Sequence, residues 1–200
     1  MSITTENTLK TALIQSITRH GGYTEGNAQD YSPELGMFKY EVIHFLQTSQ
    51  VRRWEKIAAI HGSDTENRVI QRLYKELDLR GSQDVLRNGF VDYGVRFQMA
   101  YFRPASGLNP VSADLYHKNE LKVYRQVYYS SRSKNSVDVV LSLNGIPVAN
   151  LELKNQFTGQ NVGNAFKQYS TTRDNREILF AFKKRTLVHL GTQFTGRPSL

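Results

Sequence analysis

Ser136-Val137-Asp138-Val139-Val140-Leu141-Ser142-Leu143, followed by Asn144-Gly145 and then Ile146-Pro147-Val148-Ala149-Asn150-Leu151-Glu152-Leu153-Lys154, is the stretch that decides the fold. Its first eight residues alternate β-branched and apolar side chains with polar ones, the period of a half-buried strand. Asn-Gly is the strongest short-range hairpin signal, because both turn positions favour a positive φ. The second run therefore returns antiparallel to the first. Residues two apart on a strand share a face, so Glu152 and Lys154 project together while Leu151 and Leu153 point the other way, into a core. Asp138 lies at the far end of the opposing strand. Two carboxylates meeting across a hairpin, with an ammonium beyond them, suit Mg²⁺, which takes a few hard oxygen ligands, keeps several waters and binds phosphates beside them. The lysine can then orient the attacking water. Those residue types point to phosphodiester hydrolysis, although a Glu-x-Lys triplet on a strand is commonly two solvated charges and nothing more.

The geometry makes a demand on register. A bulge-free two-residue turn pairs Leu143 with Ile146 and sets Asp138 opposite Leu151, on the wrong face from Glu152. Slipping the pairing by one sets Asp138 opposite Glu152. Since a one-residue slip turns every side chain over, the site requires a longer loop or a bulge.

Composition bounds the rest. Two hundred residues with 39% hydrophobic side chains can build one core with a helical annex. The absence of cysteine removes disulfides, thiolate nucleophiles and cysteine zinc sites, and fits a reducing cytosol. The N-terminus lacks the pattern of a secretory signal, and no apolar run approaches the length of a membrane span. No Gly-x-x-x-x-Gly-Lys-Ser/Thr occurs, so the chain has no P-loop. The net charge of +8 is uneven: residues 1–100 hold 12 Lys+Arg against 12 Asp+Glu, and residues 101–200 hold 14 against 6. Asp138 and Glu152 are two of those six acids. A basic surface attracts phosphate by counterion release, and acids kept within it suit a metal better than a polyanion.

The first hundred residues read as mainly helical. Leu9, Leu13, Ile14 and Ile17 predict a helix over residues 5–19, stopped by Gly21-Gly22. Residues 33–61 carry a second apolar stripe that includes Trp54, expected in the core. Ser63-Asp64-Thr65-Glu66 has capping-box spacing before a third helix closed by Gly81. Strands are expected over residues 95–102, 121–129, 179–182 and 187–189, with a helix over 161–172 and a solvated basic turn at Lys183-Lys184-Arg185. The five histidines have no ligand-like spacing. Arg125, Arg132 and Lys134, among tyrosines, are candidate DNA contacts.

The segment from Asn135 to Gln168 resembles the PD-(D/E)xK nuclease core, and more closely the nuclease domain at the N-terminus of the restriction (motor) subunit of type I restriction-modification enzymes. The matching runs are Asn135 to Leu141, Asn144-Gly145-Ile146-Pro147-Val148-Ala149 and Leu151-Glu152-Leu153-Lys154-Asn155. Pro104 to Pro110, Gln168-Tyr169 and Arg173-Asp174 flank them, and weaker similarity reaches Gly21-Gly22-Tyr23. The resemblance implies an α+β fold with a small mixed central sheet flanked by helices. Residues 1–94 would be its mainly helical part, 95–190 the catalytic core and 191–200 a tail foreign to the family. It implies Mg²⁺-dependent cleavage of double-stranded DNA, with Mn²⁺ a possible substitute. Asp138 and Glu152 would hold the metal together with the Leu153 carbonyl, Lys154 would act on the water or the phosphate, and Gln168 would orient the site. ATP would serve only a motor region outside this chain, and the partners would be DNA and the methyltransferase and specificity subunits, in the cytoplasm. Valine replaces the motif's proline at 137, and Thr172 stands where a tyrosine is common, with Tyr169 nearby. Lys10 stands where relatives place a helix glutamate; Glu6 is the nearest acid. Alanine at Asp138, Glu152 or Lys154 is expected to leave the fold intact. The alternative is a non-catalytic DNA-binding or subunit-docking module.

Overall fold

The hairpin forms the centre of a five-stranded mixed sheet in the computed structural model, which describes residues 6–105, 109–154, 176–181 and 184–193. Strand β6 (Leu121–Tyr128) pairs antiparallel with β7 (Ser136–Leu143), which pairs antiparallel with β8 (Ile146–Lys154). The edges are parallel additions, β1 (Thr24–Glu25) on β6 and β9 (Val188–Gln193) on β8, giving the order β1-β6-β7-β8-β9. The arrangement is α+β, with helices beside a mixed sheet, as expected. Gly191, Thr192 and Gln193, read from sequence as part of a tail, are the end of β9 and pair with Glu152, Leu153 and Lys154.

Helix α1 (Glu6–His20) lays Leu9, Leu13, Ile14 and Ile17 on Val123, Val139, Leu151 and Leu153 of the sheet. A second core joins α2 (Lys39–Ser49), α3 (Val51–His61) and α4 (Thr65–Asn88) around Phe45, Leu46, Ile57, Val69, Leu73 and Leu77, with Trp54 packed against it. It also takes in β4 (Phe90–Asp92), β5 (Val95–Phe97) and Ile146 at the start of β8. Tyr124 of β6 stacks on Phe38 and donates its hydroxyl to the Glu41 carboxylate, which also takes Lys122 Nζ at 3.1 Å. Burial pushes the Glu41 carboxyl up from its ordinary range, against the lowering from those two hydrogen bonds.

Several local expectations are corrected. The stripe over residues 33–61 is not one helix: it opens in a short hairpin, β2 (Tyr31–Ser32) with β3 (Met37–Phe38), and breaks again at Gln50. The capping box does not form, because Ser63 lies inside a 3-10 turn (Gly62–Asp64) and the helix starts at Thr65; Asp64, at the N-cap, turns its carboxylate to Asn67 and Arg68, both at 3.0 Å. Gly81, at φ 79°, kinks α4, which then resumes to Asn88. The strand at 95–102 stops at Phe97. Leu179 to Ala181 form a turn in which Phe180 and Ala181 both donate to the Glu177 carbonyl at 2.9 Å, leaving no strand there. Arg185 is not solvated: it is fully buried, with Nε on the Leu35 carbonyl at 3.0 Å and its guanidinium over the Tyr74 ring. A buried tyrosine face and a carbonyl outweigh hydration for that planar cation. The helix expected over 161–172 lies outside the described residues. No helix among those residues is long and apolar enough to cross a membrane.

Candidate active site at a fork in the sheet

The Asn144-Gly145 turn is tight and buried. Leu143 pairs with Ile146 and Ser142 with Pro147, but Leu141 pairs with Ala149, so Val148 is an extra residue on β8. The expected bulge is present. Pro147 explains its place: proline has no N–H for the ladder, and within sheets it collects at edges and bulges. Beyond the bulge Val140 faces Asn150 and Val139 faces Leu151, so one further step sets Asp138 across from Glu152.

The turn is held by its own side chain. Asn144, at φ 51°, donates from Nδ2 to the Met99 carbonyl at 2.9 Å and to Asn119 Oδ1 at 3.0 Å, and its Oδ1 accepts the Glu120 N–H at 2.7 Å. Asparagine tolerates that left-handed conformation better than most residues. At Gly145, φ 80°, a Cβ would sit 2.7 Å from the Phe38 carbonyl oxygen, so glycine is required by space as well as by conformation.

At the other end the two central strands part. The β7–β8 ladder stops at Val139 and Leu151, whereas β7 stays paired with β6 back to Ser136 and β8 stays paired with β9 on to Lys154. The sheet therefore forks in its middle, with Ser136 to Asp138 on one prong and Glu152 to Lys154 on the other. Opposite Asp138, the β6 backbone is irregular too, with Gln126 at φ 49°. The Asp138 carboxylate reaches across: its Oδ2 accepts the Leu153 N–H at 2.8 Å, replacing the ladder bond that Leu153 has lost. Its Oδ1 meets the Lys10 ammonium of α1 at 2.9 Å, with the two side chains only 16% and 10% exposed. Glu152 is 3% exposed.

The register thus sets Asp138 across from Glu152 where the strands part, and Lys10 of α1 meets Asp138 there. The Lys154 side chain and Gln168 lie outside the described residues. Of the candidate DNA contacts, Arg125 lies beside the fork, on the β6 position paired with Val139. Arg125 is bound to Glu25 at 2.7 Å and Thr11 at 3.0 Å, Arg132 is bound to Glu177 at 2.9 Å, and Lys134 is exposed. Sequence reasoning passed over a different basic surface. A groove of about 650 Å³ between α3, residues 98–102 and α5 (Pro110–His117) is lined by Arg52, Arg53, Arg87 and Lys118 and, among the described residues, by no carboxylate. Adjacent arginines at 52 and 53 were the available signal, but Arg87 and Lys118 join them only through the fold.

The chemistry of the fork suits a hard divalent cation. Two carboxylates and the adjacent backbone carbonyl are oxygen donors, and Asp138 already carries a cation against it. Among the described residues no group of three or more acidic, histidine or cysteine side chains forms a cage. A site with two carboxylates matches Mg²⁺, which keeps several of its waters.

A mixed sheet split between two acid-bearing strands defines a class of fold more than a particular protein. The family comparison narrows it: the model for the type I restriction enzyme R protein N terminus matches residues 3–194. The chain belongs to that family, the N-terminal region of the R subunit of type I restriction enzymes. Neither the curated proteins nor the solved structures include a match.

Proposed function

We propose that the fork is the catalytic centre of a Mg²⁺-dependent endonuclease acting on double-stranded DNA. The observation that carries this is the parting of β7 from β8 where Asp138 faces Glu152, inside a chain of the restriction R-subunit family. Asp138, Glu152 and the Leu153 carbonyl would hold the ion, with Mn²⁺ a possible substitute. When bound, Mg²⁺ lowers the pKa of a water and offsets charge developing on the phosphate. The chain's own contribution is placement. The Leu153 N–H fixes one oxygen of Asp138, so the carboxylate is oriented before any ligand arrives, and pre-set geometry of this kind lowers the cost of reaction. Lys154, two residues beyond Glu152 on the same strand, would orient the attacking water or steady the phosphate, and Gln168 would align the substrate. Lys134 and the cations of the Arg52–Lys118 groove would contact DNA phosphates, joined by Arg125 and Arg132 where their internal acids release them. ATP-driven translocation would belong to a motor region elsewhere in the subunit, and the methyltransferase and specificity subunits would be partners in a cytoplasmic complex.

One observation favours a second reading. A buried, satisfied Lys10–Asp138 pair is also what a purely structural acid looks like, as in a non-catalytic DNA-binding or docking module. Plasmid nicking with Mg²⁺ and with EDTA, beside calorimetric titration of Mn²⁺, separates the two. The nuclease reading expects Glu152→Gln to abolish nicking and weaken Mn²⁺ binding at least tenfold, and Lys154→Ala to abolish nicking with Mn²⁺ binding retained. Wild-type nicking by Lys154→Ala, or unchanged Mn²⁺ affinity in Glu152→Gln, refutes it.

A further inference from the structure

We infer that Lys10 makes the fork a single-cation site: its ammonium holds the place beside Asp138 that a second divalent ion would need. The inference rests on the nuclease reading of the fork and adds a residue and a stoichiometry to it. The contact is short, 2.9 Å from Nζ to Oδ1, and the lysine is 8% exposed, so water screens the charge poorly. Nor is the ammonium free to leave. Leu9, Leu13, Ile14 and Ile17 on the same helix are packed on the sheet, so α1 delivers Lys10 to Asp138 from a fixed position.

Counting the acceptor sites of Asp138 leads to the stoichiometry. Each carboxylate oxygen carries two lone pairs. Oδ2 gives one to the Leu153 N–H and Oδ1 gives one to Lys10. One pair remains on each oxygen; the one on Oδ1 lies beside the Lys10 ammonium, which repels a second divalent charge, so Oδ2 is left to serve one Mg²⁺ shared with Glu152. In a two-metal site the ions stand about 3.5–4 Å apart on a bridging carboxylate. Here the Lys10 ammonium, 2.9 Å from Oδ1, takes the place of that second ion. Lys10 is thus a positioning residue: it neutralises and orients Asp138 before metal binds, and it weakens the ion that does bind by standing close to it.

The test is Mn²⁺ binding by calorimetry and by the electron paramagnetic resonance of free ion, on the whole chain. Wild type is expected to bind one ion. Lys10→Arg should bind one ion with a Kd within threefold of wild type. Lys10→Met, which removes the charge and keeps the length, should bind one ion at least tenfold more tightly. Lys10→Glu, which puts an oxygen donor where the ammonium was, should bind two. Two ions in wild type, one ion in Lys10→Glu, or a Lys10→Met Kd within twofold of wild type overturns the inference. If Glu152→Gln abolishes binding while Lys10→Met changes nothing, only the role of Lys10 fails; if Glu152→Gln changes nothing, the nuclease reading fails with it. Should the Lys10 variants not fold, wild type alone decides. The ¹³Cε resonance of Lys10 must shift on Mg²⁺ titration with the same saturation as the calorimetry, and an unmoved resonance refutes the inference.

Discussion

Asp138→Ala should lower stability as well as remove a ligand, contrary to the expectation from sequence that the acids of the site can be deleted without harm to the fold. The reason is what the carboxylate touches. Removing it strands the Lys10 ammonium, whose side chain is only 10% exposed, and frees the Leu153 N–H. Breaking a buried ion pair from one side costs about 3–5 kcal/mol, because the surviving charge has neither water nor partner. The unpaired N–H adds about 1 kcal/mol. For a chain of 200 residues, each kcal/mol moves the melting temperature by about 2–4 °C, so the fall should be roughly 8–24 °C. The double variant Asp138→Ala with Lys10→Met removes both charges and should recover most of that loss. Asp138→Asn keeps an acceptor for Leu153 and should lie between. Urea unfolding followed by circular dichroism, as a double-mutant cycle, measures the coupling directly. A single variant within about 0.5 kcal/mol of wild type, or a double variant no more stable than the single, would refute the reasoning; the first result is the level expected of ordinary surface changes.

Asn144→Gly keeps the left-handed turn and deletes the bonds to Met99, Asn119 and Glu120, so it should destabilise by about 2–4 kcal/mol; a melting temperature within about 2 °C of wild type contradicts that. Neutralising Arg52, Arg53, Arg87 and Lys118 together should flatten the salt dependence of duplex binding more than neutralising the internally paired Arg125 and Arg132; equal salt slopes would place the phosphate track elsewhere. His189 is exposed overall, yet partial desolvation of its ring lowers its pKa from the ordinary value; Nδ1 meets Asn150 Oδ1 at 2.9 Å. As pH falls through about 6.5 the unfolded chain takes up a proton that the folded chain resists, so stability declines toward acid, weakly because the residue is exposed. His189→Gln should show a shallower decline between about pH 7 and 5 in urea titrations, and parallel curves would refute the assignment.

Short-range pattern carried much of this protein. Alternation from Ser136 to Leu143, the Asn-Gly turn and the return to Lys154 specified the central hairpin, because strand period and turn geometry are local properties of the chain. The requirement that Asp138 face Glu152 even called for the bulge, although only the structure put it at Val148, beside a proline that cannot join the ladder. Periodicity likewise placed α1 and the apolar face that α1 lays on the sheet. What sequence could not supply was partnership at a distance. Nothing local marks Asn144 as buried, since the three groups it satisfies are 24 to 45 residues away. Nothing local reveals that Arg185 leaves solvent for the Leu35 carbonyl and the Tyr74 ring. Lys10 looked like a misplaced cation on a helix face, and only the packing of α1 brings its ammonium to Asp138. The chain wrote the strands and the residues they carry; the tertiary structure decided where the strands part and which charges meet at the opening, because burial and ion pairing depend on neighbours that the order of residues does not make adjacent.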